Sequence, residues 1–225
     1  MGAGVLYLVA TPIGNLGDIT YRAVEILKNV DLVACEDTRR SKILLDHYGI
    51  RKPLVSYFDS SEKRRAPQLI EKIVSGLSVA LISDAGTPGL ADPGFRLVAE
   101  AIRRGARIEA LPGASAVLPA LVLSGLPADR FIFEGFFPVK GGQKKAKLLS
   151  LKKEERTVIF YESPHRLLKT LGAIQETLGD IPIVVARELT KKFEEVLRVS
   201  VGEAIRHFSG KKILGEFVIL WSLRG

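Results

Sequence analysis

From Val5 to Ser124, short β-branched runs alternate with stretches whose apolar residues fall three and four apart, and that alternation leaves few folds open. A β run, a helical crossover and a second β run pack as parallel strands with helices on the sheet faces. Strands are expected in LYLVAT, DLVACE, LVSYF, VALISD and RIEALP. Helices are expected in ITYRAVEILKNV, TRRSKILLDHYG, SEKRRAPQLIEKIVSG and GFRLVAEAIRRG, most of which end at Gly or Asn. After the Pro-containing turn LPADRF the rhythm changes. FIFEGFFP, VIFYES, IPIVVARELT, EEVLRVSV and ILGEFVILWSL read as strands separated by few helices, which suits a mixed sheet. The expectation is an α/β chain of two α/β domains, 1–125 with a mostly parallel sheet and 126–225 with a mixed one.

Charge narrows the partners. Lys and Arg total 33 against 25 acids, a formal charge of +8. Such a balance concentrates polyanions near the surface and suits a nucleic acid, with solubility alone an equal explanation. Cys35 is the only cysteine, and His47, His165 and His207 are scattered, so no metal site is expected. The longest apolar run, around Ala114 to Leu123, is broken by Ser115 and Pro119, and the N-terminus lacks a cationic leader. No membrane segment is expected, and the cytoplasm is the expected compartment.

Three turns at strand ends could carry chemistry. In ATPIGNLGDIT, Pro12, Gly14 and Gly17 turn the chain, and Asp18 or Thr20 can cap the next helix. The dinucleotide spacing G-x-G-x-x-G is absent, and a plain strand-to-helix turn explains this segment almost as well. LISDAGTPGLADPG is less ordinary, because a β run delivers Asp84 to its carboxyl end and Gly- and Pro-rich backbone follows. Ligands of open α/β sheets sit at such ends, which places Asp84, Ala85, Gly86 and Thr87 to line a site. In ALPGASAVLPAL, Pro112 and Gly113 turn the chain, and Ser115 reads as a helix cap, since no G-x-S-x-G elbow surrounds it.

Charged residues cluster at further strand ends. VACEDTRRSK sets Glu36 and Asp37 beside Arg39 and Arg40. An ion-paired helix start is the common explanation; a proton acceptor with an arginine on phosphate is the functional one. VIFYESPHRLLKTL groups Tyr161, Glu162, His165 and Arg166, where His165 fits a helix-start hydrogen bond, and VVARELTKKFEE groups Arg187, Glu188, Thr190 and Lys191. Lys140 to Arg156, including Lys144 and Lys145, holds seven basic residues and two acids. That is a solvated helix face or a phosphate-contacting segment.

In this order, LYLVATPIGNLGDIT, ACEDTRRS, LISDAGTPGLADPG, LPGASA, FEGFFP, FYESPHRL and ARELTKKFEE resemble the bacterial 16S ribosomal RNA (cytidine 2'-O)-methyltransferases, a branch of the tetrapyrrole (corrin/porphyrin) methylases. The resemblance spans nearly the entire chain. It implies two α/β domains of the tetrapyrrole methylase type with S-adenosylmethionine in the interdomain cleft, S-adenosylhomocysteine as product, and a homodimer. By the family pattern the cofactor contacts fall on Ala10, Pro12, Asp84, Gly86, Thr87, Ser115, Ala116, Tyr161, Gly215 and Phe217. The implied partner is 16S ribosomal RNA or the assembled small subunit, modified in its decoding-centre region. Arg39, Arg40, Lys144, Lys145, His165 and Arg166 are the expected RNA contacts.

Methyl transfer from a sulfonium is an in-line displacement from an activated leaving group, so the protein mainly aligns the reactants and accepts the hydroxyl proton. Glu36, Asp37, Glu188 and Lys191 are the candidate catalytic groups, the first two foremost. The alternatives are methylation of a tetrapyrrole, corrin precursor or other small molecule, and a non-catalytic RNA- or cofactor-binding module.

Overall fold

A computed structural model describes residues 4–224. The chain divides into two compact units, Met1–Ser115 and Ala116–Gly225. In the first, strands β1 (Val5–Val9), β2 (Leu32–Cys35), β3 (Leu54–Ser56), β4 (Val79–Ile82) and β5 (Arg107–Leu111) form one sheet in the order β3-β2-β4-β1-β5. All its pairings are parallel. The crossovers are α1 (Tyr21–Asn29), α2 (Thr38–His47), α3 (Asp59–Val74) and α4 (Phe95–Arg103).

Strand side chains alternate between faces, so each strand seeds two cores. Leu32 and Ala34 pack with Leu69, Ile70 and Ile73 of α3 and Leu97 of α4. Their neighbours Val33 and Cys35 pack with Ala23 and Leu27 of α1 and Leu45 of α2. Buried on both faces, the strands read VLYLV, LVAC and VALI, with little polar interruption.

The second unit opens with α5 (Val117–Ser124), followed by β6 (Phe131–Phe136), α6 (Gly141–Ser150), β7 (Thr157–Glu162) and α7 (Leu167–Leu178). It ends with β8 (Pro182–Arg187), β9 (Glu195–Ser200), α8 (Val201–Phe208) and β10 (Phe217–Trp221). Its sheet runs β6-β7-β10-β8-β9. Only β6 and β7 are parallel; β10 runs antiparallel to β7 and β8, and β9 to β8, which makes the sheet mixed. Phe137, Phe160 and Trp221 stack in the core, with ring centroids 3.8 Å apart for the first pair and 5.6 Å for the second. Leu148, Leu171, Ile174 and Phe208 of α6, α7 and α8 close over them.

The division falls before α5, upstream of the Leu126 boundary read from the chain. The reason is packing, because α5 lies against β8, β9 and β10 of the second sheet. Its cap position is Ala116, which has no side-chain acceptor, so Ser115 lies one residue before the cap it was expected to occupy. Thr20 does cap α1, accepting from Ala23 N–H at 3.1 Å.

Candidate active site

In the first unit, three turns leave the carboxyl ends of neighbouring strands β4, β1 and β5, and they are laced together. Thr11 and Gly86 exchange backbone hydrogen bonds, both 2.9 Å. Thr11 Oγ1 donates to Ser83 O at 3.0 Å, and Thr87 Oγ1 to Ala114 O at 3.0 Å. Gly86 has φ +84°, which favours glycine, and a Cβ on Gly113 would fall 2.7 Å from Ala10 Cβ. The result is a close-set backbone cradle containing Ala10, Pro12, Asp84, Gly86, Thr87 and Ser115. Ala10, Pro12 and Ser115 are buried, so what Ala10 and Pro12 offer a ligand is main chain.

Beside this cradle, at the ends of β2, β3 and β4, a hollow of about 540 Å³ is lined by Glu36, Asp37, Arg39, Arg40 and Asp84 among others. Asp84 joins the two features. Its Oδ1 accepts from Asp37 N–H at 3.1 Å and its Oδ2 from Arg40 Nη1 at 3.3 Å. Asp37 caps α2, taking the Arg39 N–H at 2.9 Å and the Arg39 guanidinium at 3.0 and 2.7 Å. Those hydrogen bonds hold its carboxyl well below the usual range, so Asp37 is a weak proton acceptor. That makes it the weaker candidate of the two adjacent acids.

Glu36 differs. Burial first, and then the Asp84 carboxylate, push its carboxyl upward. Asp92, named by no sequence argument, is pushed to about 7 by burial and then by Glu36, although a Ser83 hydrogen bond opposes the rise. The signal available in the chain was only its place in the loop ADPG.

In the second unit, several expected site residues have structural occupations. Lys144, expected on RNA, is buried: its Nζ donates to Thr170 Oγ1 at 2.6 Å, and Thr170 donates to Glu162 Oε2 at 2.5 Å. Arg166 also turns inward, to Glu162 at 2.7 Å and to Phe137 O at 3.1 Å. Lys144 shares a helix face with the buried Leu148 and Leu151, a spacing that was legible in the chain. Lys145 and His165 remain exposed. The expectations for Lys144 and Arg166 fail because a buried carboxylate, Glu162, must be paired.

Lys191 Nζ bridges Glu188 at 2.9 Å and Glu216 at 3.1 Å. Burial works against its charge, but the two acids more than offset that and raise its pKa, so it stays protonated and cannot act as a base. Burial likewise opposes the charge of Glu188, and the Lys191 bond outweighs it, leaving its pKa lowered. The pair ties the turn after β8 to Gly215, where an added Cβ would lie 2.5 Å from Glu188 Cγ. Phe217 is core, packed edge-on against Phe208, so its side chain is unavailable to a ligand. Tyr161 sits edge-on between Phe133 and Phe136.

Among the described residues no group of three or more His, Cys, Asp or Glu is placed to hold a metal ion, and no helix is long and apolar enough to cross a membrane. A parallel sheet with a glycine cradle at its carboxyl ends is followed along the chain by a unit built on a mixed sheet. The chain belongs to the tetrapyrrole (corrin/porphyrin) methylases, whose family profile matches residues 5–205, and it is a methyltransferase.

Within that class it is similar to ribosomal RNA small subunit methyltransferase I. It is 48% identical to that of Thermotoga maritima, over 97% of this chain and 98% of that one. It is 51% identical to that of Mesorhizobium japonicum, over 95% of this chain and 74% of that one. The fold is also that of a diphthine synthase crystal structure, with TM-score 0.79, 18% identity, and 97% and 90% of the two chains covered.

Proposed function

We propose that this protein transfers the methyl group of S-adenosylmethionine to the ribose 2'-hydroxyl of a cytidine in the 16S RNA of the small ribosomal subunit, in its decoding-centre region. The observation that carries the reading is the hollow in which Glu36, its carboxyl pushed up, stands with Asp84 beside the exposed Arg39 and Arg40. Exposed guanidiniums beside an acid suit a phosphate backbone, which arginine binds bidentately. The close similarity to relatives named as ribosomal RNA small subunit methyltransferase I points the same way.

The cradle fits the cofactor. Gly86 and Gly113 let backbone approach a nucleoside, and Asp84 supplies a carboxylate near a cationic sulfur. Ala10, Pro12, Asp84, Gly86, Thr87 and Ser115 of the first unit are assigned to hold it; Ala116, Tyr161 and the backbone of Gly215 and Phe217, in the second unit, are assigned as cofactor contacts by the family pattern alone. When bound, S-adenosylmethionine supplies a methyl carbon on positively charged sulfur, which leaves as the neutral thioether S-adenosylhomocysteine.

The chain's own groups do the rest. Glu36 accepts the 2'-hydroxyl proton, and a carboxyl raised above its ordinary value is a better acceptor than an unperturbed one. Asp37 holds the start of α2 and orients Arg39, while Asp84 orients Arg40, so that the guanidiniums can grip flanking phosphates. Lys145 and His165 are further RNA contacts open to solvent. The working enzyme is assigned as a cytoplasmic homodimer.

The test is transfer of labelled methyl from S-adenosylmethionine to small subunits lacking the modification, followed by nuclease digestion and mass spectrometry of nucleosides. Labelled 2'-O-methylcytidine is the expected product. Cofactor binding with no label in RNA sinks the reading and sends the search to small-molecule acceptors.

A further inference from the structure

Helix α2 starts at the candidate active site and leads away from it, and its solvent face carries Arg39, Arg40 and Lys42. Its first two cations are engaged, Arg39 with Asp37 and Arg40 with Asp84. At the other end of the helix lies a second hollow, of about 670 Å³. Lys42, Arg51 and Lys52 line it together with one acid, Asp46, and Pro53 and the half-buried Leu54 give it an apolar wall.

Among the described residues none of these three cations meets a carboxylate in an ion pair. Three cations gathered around one concavity repel one another, and an anion relieves that repulsion. The apolar wall suits the face of a base, and Asp46 can accept from a ribose hydroxyl or an exocyclic amine.

We propose that this hollow holds an unpaired nucleotide of the RNA substrate, its base over Pro53 and Leu54 and its flanking phosphates on Lys42, Arg51 and Lys52. The helix rise of about 1.5 Å per residue puts Asp46 roughly 13 Å from Asp37, a span of a few nucleotides. One strand lying along α2 therefore reaches both hollows, so the distal one fixes the register in which a ribose arrives at Glu36. The inference rests on the RNA-methylation reading and adds to it a site for a nucleotide that is not modified.

The experiment uses the full chain and a fluorescein-labelled single-stranded oligocytidine RNA, with anisotropy followed across a series of KCl concentrations. For single strands each neutralised phosphate contributes about 0.7 to the slope of log K on log salt, so Lys42→Gln/Arg51→Gln/Lys52→Gln is expected to flatten that slope by about 2. Cofactor affinity by calorimetry should be unchanged. An equal-charge control, Arg206→Gln/Lys211→Gln/Lys212→Gln, should keep the wild-type slope.

An unchanged slope in the first variant overturns the proposal, as does an equal loss in the control, which would make the effect one of net charge. Free cytidine triphosphate competing as tightly as the oligonucleotide also overturns it, in favour of a mononucleotide site. Methylation of small subunits by the wild-type protein separates the two failures: activity with no slope change removes the distal site alone. A slope change without any methyl transfer removes the reaction and leaves the RNA surface.

Discussion

The Asp84 carboxylate accepts the backbone N–H of Asp37 at 3.1 Å, tying the end of β4 to the start of α2 across 47 residues of chain. Through this bond the backbone cradle and the acidic hollow share one residue. A change in the charge of Asp84 is therefore felt by Glu36, whose carboxyl it helps to raise, as well as by Arg40.

Glu36→Gln removes the proposed proton acceptor and keeps the side chain's size. The rate of methyl transfer at saturating cofactor and RNA is expected to fall by at least about 10²-fold, the lower end of what a positioned base contributes. Cofactor affinity by calorimetry should stay within experimental error. A rate close to wild type assigns the proton to another group.

Asp84→Asn tests the coupling by pH. Glu36 must be ionised to act, and the negative charge of Asp84 raises its pKa. Without that charge Glu36 ionises at lower pH, so the acidic limb of the kcat profile at saturating cofactor is expected to move downward. A limb that stays in place or moves upward contradicts the assignment of Glu36 as the base.

Asp92→Asn should act on stability. In the folded chain Asp92 holds its proton up to about 7, against 3.8 for the ordinary side chain. Between those values the folded state binds more protons than the unfolded one, so this residue makes stability decline as pH rises through that window. The Asn variant is expected to melt higher than wild type near pH 8 and to show little difference near pH 4. Thermal melts followed by circular dichroism at the two pH values decide it.

Glu162→Gln removes the carboxylate that pairs the inward-facing Arg166, and through Thr170 it also meets Lys144. The Glu162 side chain is fully buried, so its loss leaves cations uncompensated, at a cost on the order of 3–5 kcal/mol. Urea denaturation should show that loss, while Lys145→Gln, at an exposed neighbour, should leave the midpoint unchanged.

The chain by itself determined the layers and the turns. Hydrophobic period decides strand or helix locally, which is why VALI and LVAC read as buried parallel strands and why the second sheet read as mixed. Gly and Pro mark the turns at Pro12, Gly86 and Gly113 for equally local reasons. Strand order is not local. Only the order β3-β2-β4-β1-β5 brings the β1, β4 and β5 turns into one cradle and sets Asp37 against Asp84.

The same limit explains the reassigned residues. Charge in a sequence says nothing about which side of a helix faces a buried acid, so Lys144 and Arg166 read as RNA contacts until packing turned them toward Glu162. Likewise, Asp37 and Glu36 are adjacent acids in the chain with opposite pKa shifts. One is held by the Arg39 guanidinium, and the other is half-buried beside a second carboxylate, because proton affinity is set by neighbours in space that tertiary structure alone supplies.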